Sequence, residues 1–395
     1  MWKNAALLIV SLVLSLLAAD AGLGWLMREP AYWKARQLGI AYDARDRLDV
    51  ILAQRKDDPN WFPAVPANTY LEHPVALGGQ RIVPLGGVAN AKIVGCNEAG
   101  YYSTFTSDEA GFNNPPGTWP LAATAHIFLV GDSFTQGDCM RAGSGIADQL
   151  RKKLPQVVNL GVGGNGPLFE LAGIREYVPA GKTALVFWLY FEGNDLVDLQ
   201  RDSAEPILER YLDAAFDQRL AARQTEVNEV VRSFVEGRMD ERLRGRAVVL
   251  PALREALWRV RSGRSVLPRA TAAIEKPLPD RLRAKLLDVI GRARADVRQR
   301  GGELVFVRLP EHARLVGEPV SRAAEQSPAV IEGVRQLGVP VIDMEPVLRR
   351  HHRATALFPM EIKAHYSEIG YGLVAAELAD FIDSHRKGTG LSTPP

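Results

Sequence analysis

The sequence lacks most of the features that assign a chain to a specialised class of protein. Lys and Arg number 48 against 46 Asp and Glu, so the net charge of +2 gives no indication of a nucleic-acid partner. The chain has no internal repeat and no long low-complexity tract, and only two residues are cysteines. What is present, 47% hydrophobic and 8% aromatic residues in a chain of 395, is typical of a globular protein with a sizeable core.

Histidine is also scarce, with seven residues in the whole chain. Two of them, His351 and His352, are neighbours, and on a helix their side chains would point to different faces. The sequence therefore implies no metal site, and we expect no cofactor.

The most informative segment is the junction at which an apolar run, His126 to Val130, leads into Gly131, Asp132 and Ser133. The run predicts a buried strand, and open α/β sheets place their reactive groups just beyond the carboxyl ends of strands. Ser133 is thus a candidate nucleophile. Taken alone, Asp132 and Ser133 could instead be turn residues that cap a helix.

Three further segments place polar groups at corresponding positions. Val157 to Leu160 is a second apolar run, and it leads into the glycine-rich loop of residues 161–167. Residues 184–191 form a third run, which Asn194 follows, and His365 precedes a helical pattern of apolar residues. If the strands are parallel, all four loops converge on one edge of the sheet.

These residue types suit acyl transfer. A serine hydroxyl is a poor nucleophile until a base takes its proton, and histidine has a suitable pKa for that task. The negative charge that develops on the carbonyl oxygen can be stabilised by backbone N–H groups beside glycine and by a side-chain amide. Ser133 as nucleophile, His365 as base, and Gly164 and Asn194 as donors fit these roles.

In this order, Ser133, Gly164, Asn194 and His365 resemble the four sequence blocks of the SGNH hydrolase family, the GDSL-type esterases and lipases. The surrounding sequence is similar to that of exported bacterial members of this family. The resemblance implies a three-layer α/β/α fold with a central parallel sheet. It also implies an oxyanion hole formed by the N–H groups of Ser133 and Gly164 and the amide of Asn194.

Two positions depart from the family pattern. Glu192 stands where the third block usually has glycine, and Ile362 stands where the family has its acid, three residues before His365. The nearest carboxylate, Glu361, is a candidate to orient His365 if the loop bulges, because a triad is defined by geometry and not by sequence offset. A Ser-His dyad is one alternative, and Asp343, at the end of a later strand, is another.

The glycine-rich loop has a competing interpretation. Gly161, Gly163 and Gly166 match the dinucleotide-binding pattern G-x-G-x-x-G, and Glu192 follows roughly where a ribose-binding acid would lie. Against this, Pro167 removes a backbone donor near the helix start. A dinucleotide site would also leave the serine and histidine blocks unexplained, so we prefer the hydrolase interpretation.

The N-terminal residues predict export. Residues 5–19 are an unbroken apolar stretch with the length of a signal peptide, and Ala19-Asp20-Ala21 resembles a cleavage site. Counted through Met27, the segment is long enough to span a bilayer. We favour an uncleaved signal anchor over residues 1–27, a single-pass segment that leaves the rest of the protein periplasmic or extracellular.

In an exported chain the two cysteines are expected to form a disulfide. Cys139 lies six residues after Ser133, so a bridge to Cys96 would tie the upstream segment to the active-site loop. Two free, buried thiols are the alternative.

The other residues divide into an N-terminal extension, 28–125, and an SGNH hydrolase-like domain, 126–386. We expect a short helix and small strands in the extension, a mostly helical insertion at about 206–299, and a disordered tail at 387–395. Within the insertion, Arg232 to Arg269 is rich in arginine and poor in acids. A solvated helical face explains this pattern, and contact with anionic lipid or an acidic glycan is the alternative.

We therefore predict a membrane-anchored serine hydrolase that acts on an acyl or acetyl ester in the cell envelope. An O-acyltransferase that modifies a cell-envelope polysaccharide is the alternative, since a sugar hydroxyl can replace water in resolving the same acyl-enzyme. A non-catalytic envelope scaffold with a decayed site is an alternative of another class. The expected partners are an ester-bearing glycan or lipid and, through the N-terminal helix, the inner membrane.

Overall fold

The computed structural model of the chain describes residues 2–119, 127–181, 185–246, 250–261 and 278–389. His126 and Ala184, at which two of the predicted strands begin, lie outside these ranges. So do residues 262–269 of the arginine-rich segment and residues 390–395 of the predicted tail.

The described residues contain ten strands. In chain order they are β1 (Trp61–Pro63), β2 (Val75–Leu77), β3 (Gln80–Ile82), β4 (Lys92–Val94), β5 (Thr104–Thr106), β6 (Ile127–Gly131), β7 (Val157–Asn159), β8 (Leu185–Phe191), β9 (Glu303–Leu309) and β10 (Val341–Asp343). The last five form a central sheet in the order β10-β9-β8-β6-β7, and every neighbouring pair in it is parallel. The N-terminal extension holds a three-stranded sheet, β1-β4-β5, and the hairpin β2-β3.

The α-helices of the described residues lie before, between and after these strands. In chain order they are α1 (Trp2–Leu26), α2 (Pro30–Leu38), α3 (Arg47–Gln54), α4 (Thr69–Glu72), α5 (Ser133–Gln136), α6 (Ile146–Arg151), α7 (Pro167–Tyr177), α8 (Asp195–Asp202), α9 (Pro206–Arg210), α10 (Gln224–Gly245), α11 (Pro251–Arg261), α12 (Asp280–Gln299), α13 (His312–Val316), α14 (Arg322–Glu325), α15 (Ser327–Gln336), α16 (Met344–Arg349) and α17 (Glu368–Thr389). Short 3₁₀ helices lie at Ala221–Arg223, Ala354–Leu357 and Pro359–Glu361.

The central sheet is buried on both faces. In β6, Phe128 and Val130 lie on one face in the core that includes α7, α8 and α12, whereas Ile127 and Leu129 lie on the other face with α5, α6, α16 and α17. Because successive side chains of a strand point to opposite faces, a strand covered on both sides must be apolar throughout, and the five residues of β6 are all buried. The predicted three-layer α/β/α fold with a central parallel sheet is confirmed.

The described residues between β8 and β9 are largely helical, as predicted, and their helices do not all have the same role. In α10, the buried residues Val227, Val231 and Val235 repeat every four residues and pack against the N-terminal extension. In α12, Val289 and Ile290 are buried in the core that covers the central sheet. Part of the predicted insertion is therefore one of the layers of the α/β fold.

The first and last helices lie at the ends of the described chain. Within α1, residues Ala6–Leu26 form a segment long and apolar enough to cross a membrane, and its side chains are exposed. At the other end, α17 continues to Thr389, so the predicted disordered tail begins inside a helix.

Candidate active site

Ser133 lies at the carboxyl end of β6, where the chain turns directly into α5. The Asp132 carboxylate caps that helix by accepting a hydrogen bond from the Phe134 N–H at 2.9 Å. The turn requires glycine at position 131, since a Cβ on Gly131 would collide with the Thr135 hydroxyl. The tight turn leaves Ser133 partly exposed at the edge of the sheet.

His365 precedes α17, and the fold brings it to Ser133. The Nε2 atom of His365 lies 2.8 Å from Ser133 Oγ, which is hydrogen-bonding distance. The ring of Phe134 packs beside the imidazole, with ring centroids 4.9 Å apart. The two residues that the sequence analysis pairs as nucleophile and base are therefore in contact, although 232 positions separate them.

A carboxylate that the sequence analysis does not identify, Glu98, lies on the other side of the imidazole. Its Oε2 atom is 3.0 Å from His365 Nδ1 and accepts a hydrogen bond from the His365 backbone N–H at 2.8 Å. Because Nδ1 is engaged by Glu98, Nε2 is the nitrogen that faces the serine hydroxyl. Ser133, His365 and Glu98 together have the geometry of a catalytic triad.

The charges around His365 favour its protonated form. Burial lowers the pKa of the imidazole, but the hydrogen bond and negative charge of Glu98, helped by Asp138 and Asp132, outweigh burial and raise the pKa to about 9. For Glu98, burial raises the pKa, and the contacts with His365 reverse that effect and hold the pKa below its usual value. The pairing with Glu98 thus stabilises the positive charge that His365 acquires when it takes a proton.

Glu361, the acid suggested by the sequence analysis, does not approach His365. Met360 and Glu361 both have positive φ angles, 52° and 61°, and this turn directs the Glu361 side chain elsewhere. Its carboxylate lies 3.3 Å from the Arg353 guanidinium and accepts a hydrogen bond from the Thr355 hydroxyl at 3.3 Å. The assignment of Glu361 is thus corrected, and Glu98 occupies the position expected of the acid.

Asp343, the reserve candidate for the acid, is also engaged elsewhere. It ends β10 as predicted, and its carboxylate caps α16 by accepting from the Glu345 N–H. An ion pair of 3.0 Å joins Asp343 to Arg308 on the neighbouring strand β9. These contacts give Asp343 a role in fixing the sheet edge.

Ser133, Gly164 and Asn194 are the residues predicted to form an oxyanion hole. Among the described residues, no acceptor is found for the backbone N–H of Ser133 or Gly164. Gly164 has a φ of 77°, the left-handed conformation that favours glycine. The Asn194 amide donates to Asp132 Oδ2 at 3.4 Å, which holds that side chain beside the turn that carries Ser133. Asn194 thus lies beside the turn that carries Ser133, and the oxyanion hole formed by these three residues stays a prediction.

Glu192, which stands where the family has glycine, is part of a buried ion network. Its carboxylate is 3.1 Å from Arg308 and 2.6 Å from Arg314, and it accepts from the Glu311 N–H at 3.1 Å. The network joins the loop after β8 to the loop after β9. A carboxylate with two guanidinium partners is not available to a ribose hydroxyl, which argues against the dinucleotide interpretation of the glycine-rich loop.

Cys96 and Cys139 form the disulfide that the sequence analysis predicts, with Cα atoms 4.9 Å apart. Cys139 Sγ lies 3.3 Å from His365 Nδ1, and Glu98 is two residues beyond Cys96. The two sulfurs and the imidazole are close enough to suggest a metal site, but the sulfurs are bonded to each other and are not thiolates that could bind an ion. The bridge instead ties the N-terminal extension to the loop that follows Ser133.

Several carboxyl groups are buried behind the nucleophile. Burial, reinforced by the charges of neighbouring acids, raises the pKa of both Glu170 and Asp195 well above the usual range. Burial also raises the pKa of Asp132. In their protonated forms Glu170 and Asp195 carry no charge, so they oppose the negative charge that develops on an ester carbonyl oxygen less than ionised carboxylates would.

A groove of about 740 Å³ lies next to this site, on the other side of residues 63–69. Its lining includes Arg47, Arg242 and Trp258, but neither Ser133 nor His365. Within residues 63–69, the Ala67 N–H donates to the Gly163 carbonyl oxygen, so this loop separates the groove from the glycine-rich loop. The reacting groups therefore lie outside the groove.

The central parallel sheet carries Ser133 at the end of one strand, with His365 and the Asn194 amide on neighbouring loops, and this arrangement is similar to that of SGNH hydrolases. Residues 272–393 match a family described as "SGNH hydrolase-like domain, acetyltransferase AlgX". The matched range contains His365 but not Ser133, Gly164 or Asn194. The predicted resemblance to SGNH hydrolases is confirmed.

Three solved structures to which the chain is similar are described as a lipase/acylhydrolase or as esterases, and each is distant in sequence. A lipase/acylhydrolase from Enterococcus faecalis is 14% identical, covers 66% of this chain and 96% of its own, and has a TM-score of 0.37. An acetyl xylan esterase, AlAXEase, is 10% identical with coverages of 65% and 99% and a TM-score of 0.35. A two-domain esterase, CEX, active on acetylated mannans, is 13% identical with coverages of 70% and 54% and a TM-score of 0.35. None of the curated proteins compared matches the chain.

Proposed function

We propose that the chain is a serine-dependent enzyme that acts on an acyl or acetyl ester of the cell envelope. The observation that carries this proposal is the 2.8 Å contact between Ser133 Oγ and His365 Nε2, with Glu98 on the opposite nitrogen of the imidazole. A serine hydroxyl is a weak nucleophile until an adjacent base takes its proton, and this contact supplies such a base. Ser133 is thus the nucleophile, His365 the base, and Glu98 the group that orients the base.

The reaction follows from these positions. When the imidazole is neutral, His365 Nε2 takes the proton from Ser133 Oγ as the oxygen attacks the ester carbonyl carbon. The carbonyl oxygen becomes negatively charged and receives hydrogen bonds from the Ser133 and Gly164 N–H groups and the Asn194 amide. His365 then returns the proton to the leaving alcohol, and the acyl group remains on Ser133.

The fate of the acyl-enzyme distinguishes two activities. Water, deprotonated by His365, releases the acid and makes the protein a hydrolase, our first candidate. A sugar hydroxyl in the same position makes it an O-acyltransferase that modifies a cell-envelope polysaccharide. The family match favours the second candidate, since that family is described as an acetyltransferase.

A non-catalytic scaffold with a decayed site has lost its main support. In the sequence, the only sign of decay is the missing acid three residues before His365. Glu98 supplies a carboxylate at hydrogen-bonding distance from that histidine, so an intact triad can be assembled from this chain.

We also propose that α1 remains attached as a membrane anchor and that the remainder of the protein lies in the periplasm or outside the cell. Asp20 Oδ1 accepts a hydrogen bond from the Leu253 N–H at 2.8 Å, and Trp25 packs edge to face on Trp33 with centroids 4.4 Å apart. Cleavage before Gly22 would remove the first contact. The mass of the mature protein tests this, because loss of residues 1–21 would contradict the anchor.

Labelling with a fluorophosphonate tests the enzyme proposal. We expect the full-length protein to form an adduct that peptide mass spectrometry locates on Ser133. Ser133→Ala should abolish labelling, whereas Ser203→Ala, which removes a hydroxyl that donates to the Leu199 carbonyl oxygen of α8, should leave it unchanged. If folded protein forms no adduct, the result would contradict the enzyme proposal and favour a non-catalytic scaffold.

The two activities are separated by adding an acceptor. With an activated acetyl ester as donor, a transferase forms acetylated oligosaccharide in proportion to the added glycan, and hydrolysis falls as it does so. A hydrolase releases acetate at a rate that added glycan does not change.

A further inference from the structure

Helix α11 (Pro251–Arg261) presents apolar side chains to the outside of the protein. Leu253, Leu257 and Val260 are spaced at i, i+4 and i+7, which places them on one side of the helix. Leu257 is 61% exposed and Val260 65% exposed. Outside α1, few large apolar side chains of the described residues are exposed to this extent, so the stripe is a local feature of α11.

The side of α11 next to the apolar stripe holds the helix in place. Ala256 is buried, and a Cβ on Gly24 of α1 would lie 3.5 Å from the Ala252 Cβ, so the two helices are in close contact. The Leu253 backbone N–H also donates to Asp20 Oδ1 at 2.8 Å. Because the first N–H groups of a helix have no partner within it, this side chain of α1 acts as the cap of α11.

The hydrogen bond from Leu253 to Asp20 fixes the height at which α11 lies along the apolar segment of α1. The segment ends at Leu26, six residues after Asp20, and a helix rises about 1.5 Å per residue, so the cap lies roughly 9 Å from that end. This level matches the roughly 5–10 Å to which an interfacial helix buries its apolar face at the boundary of headgroups and acyl chains. Trp25 and Trp33 pack together at the same end, and tryptophan is enriched at membrane interfaces.

The charges next to the apolar stripe are positive. Arg254 and Arg261, at i and i+7, are both exposed and lie beside Leu257 on the helix surface. Arg259 pairs with Glu255 at 2.8 Å within the same helix. An apolar stripe flanked by arginine is the pattern of a helix that lies in the plane of a membrane interface and attracts anionic lipids.

We propose that α11 is an interfacial helix that inserts Leu257 and Val260 into the outer leaflet around α1, with Arg254 and Arg261 at anionic headgroups. The proposal rests on the membrane anchor proposed above. Arginines of the arginine-rich segment then have anionic lipid as their partner. The protein is held to the bilayer by two helices, α1, which spans it, and α11, which lies in its surface. Trp258, on another side of the same helix, lines the groove beside residues 63–69.

Site-directed spin labelling of the full-length protein tests the proposal. Both native cysteines are in the disulfide, so a single introduced cysteine is the only free thiol. We would label Leu257→Cys, Leu12→Cys on α1, and Val197→Cys as a matched apolar control that is 46% exposed on α8. Each protein is reconstituted in vesicles of phosphatidylcholine with phosphatidylglycerol, and the accessibility of the label to oxygen and to a water-soluble nickel complex is measured.

The expected result is a ratio of oxygen to nickel accessibility at position 257 that is several-fold higher than at position 197. A high ratio at position 12 together with a low ratio at position 257 would overturn the interfacial helix and leave the anchor standing. A low ratio at position 12 would overturn the anchor, and the interfacial helix with it.

The charge component has its own test. Arg254→Glu combined with Arg261→Glu should lower the ratio at position 257 in anionic vesicles several-fold. The same reversal at Arg281 and Arg298, both exposed on α12, should leave it unchanged. Equal effects of the two pairs would show that general charge, and not α11, governs the contact.

Discussion

The two regions that supply the candidate triad differ in how their residues reach the site. Ser133 and His365 belong to the α/β fold and lie at the carboxyl edge of the parallel sheet. The loops that leave parallel strands all begin at this edge, so the fold itself places residues there. Glu98 belongs to the N-terminal extension, and only tertiary contacts bring it to His365. A nucleophile and base can thus be placed by the fold alone, while the acid depends on how a second region is attached.

The attachment of the Glu98 loop has identifiable parts. The Asn97 side chain donates to the Asp43 carbonyl oxygen at 2.8 Å, and the Asp43 N–H donates to the Gly100 carbonyl oxygen at 2.8 Å. On the other side, the disulfide holds Cys96 to Cys139. The segment that follows the first two helices and the loop that follows the nucleophile therefore fix the position of the acid together.

The largest expected effect comes from substituting each of the two candidate acids in turn. Glu98→Gln should lower kcat roughly a thousandfold or more, because the imidazole loses the group that fixes its tautomer and stabilises its charge. Glu361→Gln, which affects only the contacts with Arg353 and Thr355, should leave kcat within about twofold of the unchanged protein. Steady-state kinetics on an activated acetyl ester measure both. Equal losses would contradict the assignment of Glu98.

A second prediction concerns the donors supplied by the sheet edge. Asn194→Ala should lower kcat by about a hundredfold to a thousandfold, the usual effect of removing one oxyanion donor. Labelling of Ser133 by a fluorophosphonate should persist in this variant, since the nucleophile and base remain. Complete loss of labelling would indicate that Asn194 maintains the fold of the loop and is not mainly a donor.

The disulfide provides a third, smaller effect. Cys96→Ser with Cys139→Ser opens a loop of 43 residues, for which chain entropy alone predicts a loss of about 4 kcal/mol in the free energy of unfolding. Thermal unfolding monitored by circular dichroism should therefore show a lower Tm. Activity should fall because the Glu98 loop is loosened. A double variant as active and as stable as the unchanged protein would mean that the hydrogen bonds to Asp43 and Gly100 suffice.

The smallest expected effect is the change of kcat/KM with pH. Only neutral His365 can accept the serine proton, so a pKa of about 9 predicts that kcat/KM rises with pH through the neutral range and levels off near that value. In Glu98→Gln the main influence that raises the pKa is gone, and the rising limb should move to lower pH. A profile that is flat from pH 6 to 9 in the unchanged protein would show that His365 is neutral throughout.

The comparison also explains which parts of the site were predictable. Ser133, Gly164 and Asn194 each follow an apolar run, and runs of this kind are readable because strands buried on both faces must be apolar. The acid was missed because the family offset points to Ile362, which here packs against a small apolar cluster with Ala31, Ala35 and Met360. Residue spacing cannot reveal a partner that arrives from another region of the chain.

The sequence nevertheless contained one signal for Glu98. The predicted bridge from Cys139 brings Cys96 to the active-site loop, and Glu98 is the acidic residue nearest to Cys96. A search for carboxylates near each end of the predicted disulfide would have found it. The helical segment after Asn194 posed a different difficulty, because the period of an apolar pattern predicts a helix but not whether it covers the central sheet, as α12 does, or the extension, as α10 does.

The bridge between Cys96 and Cys139 also bears on the order of events during biogenesis. Cytosolic thiols are kept reduced, and disulfides form in the periplasm or outside the cell. On the route proposed here, a newly made chain would cross the membrane before the segment that carries Glu98 is locked beside His365. The enzyme would then become fully active only after it has crossed the membrane, so it would not hydrolyse esters in the cytosol.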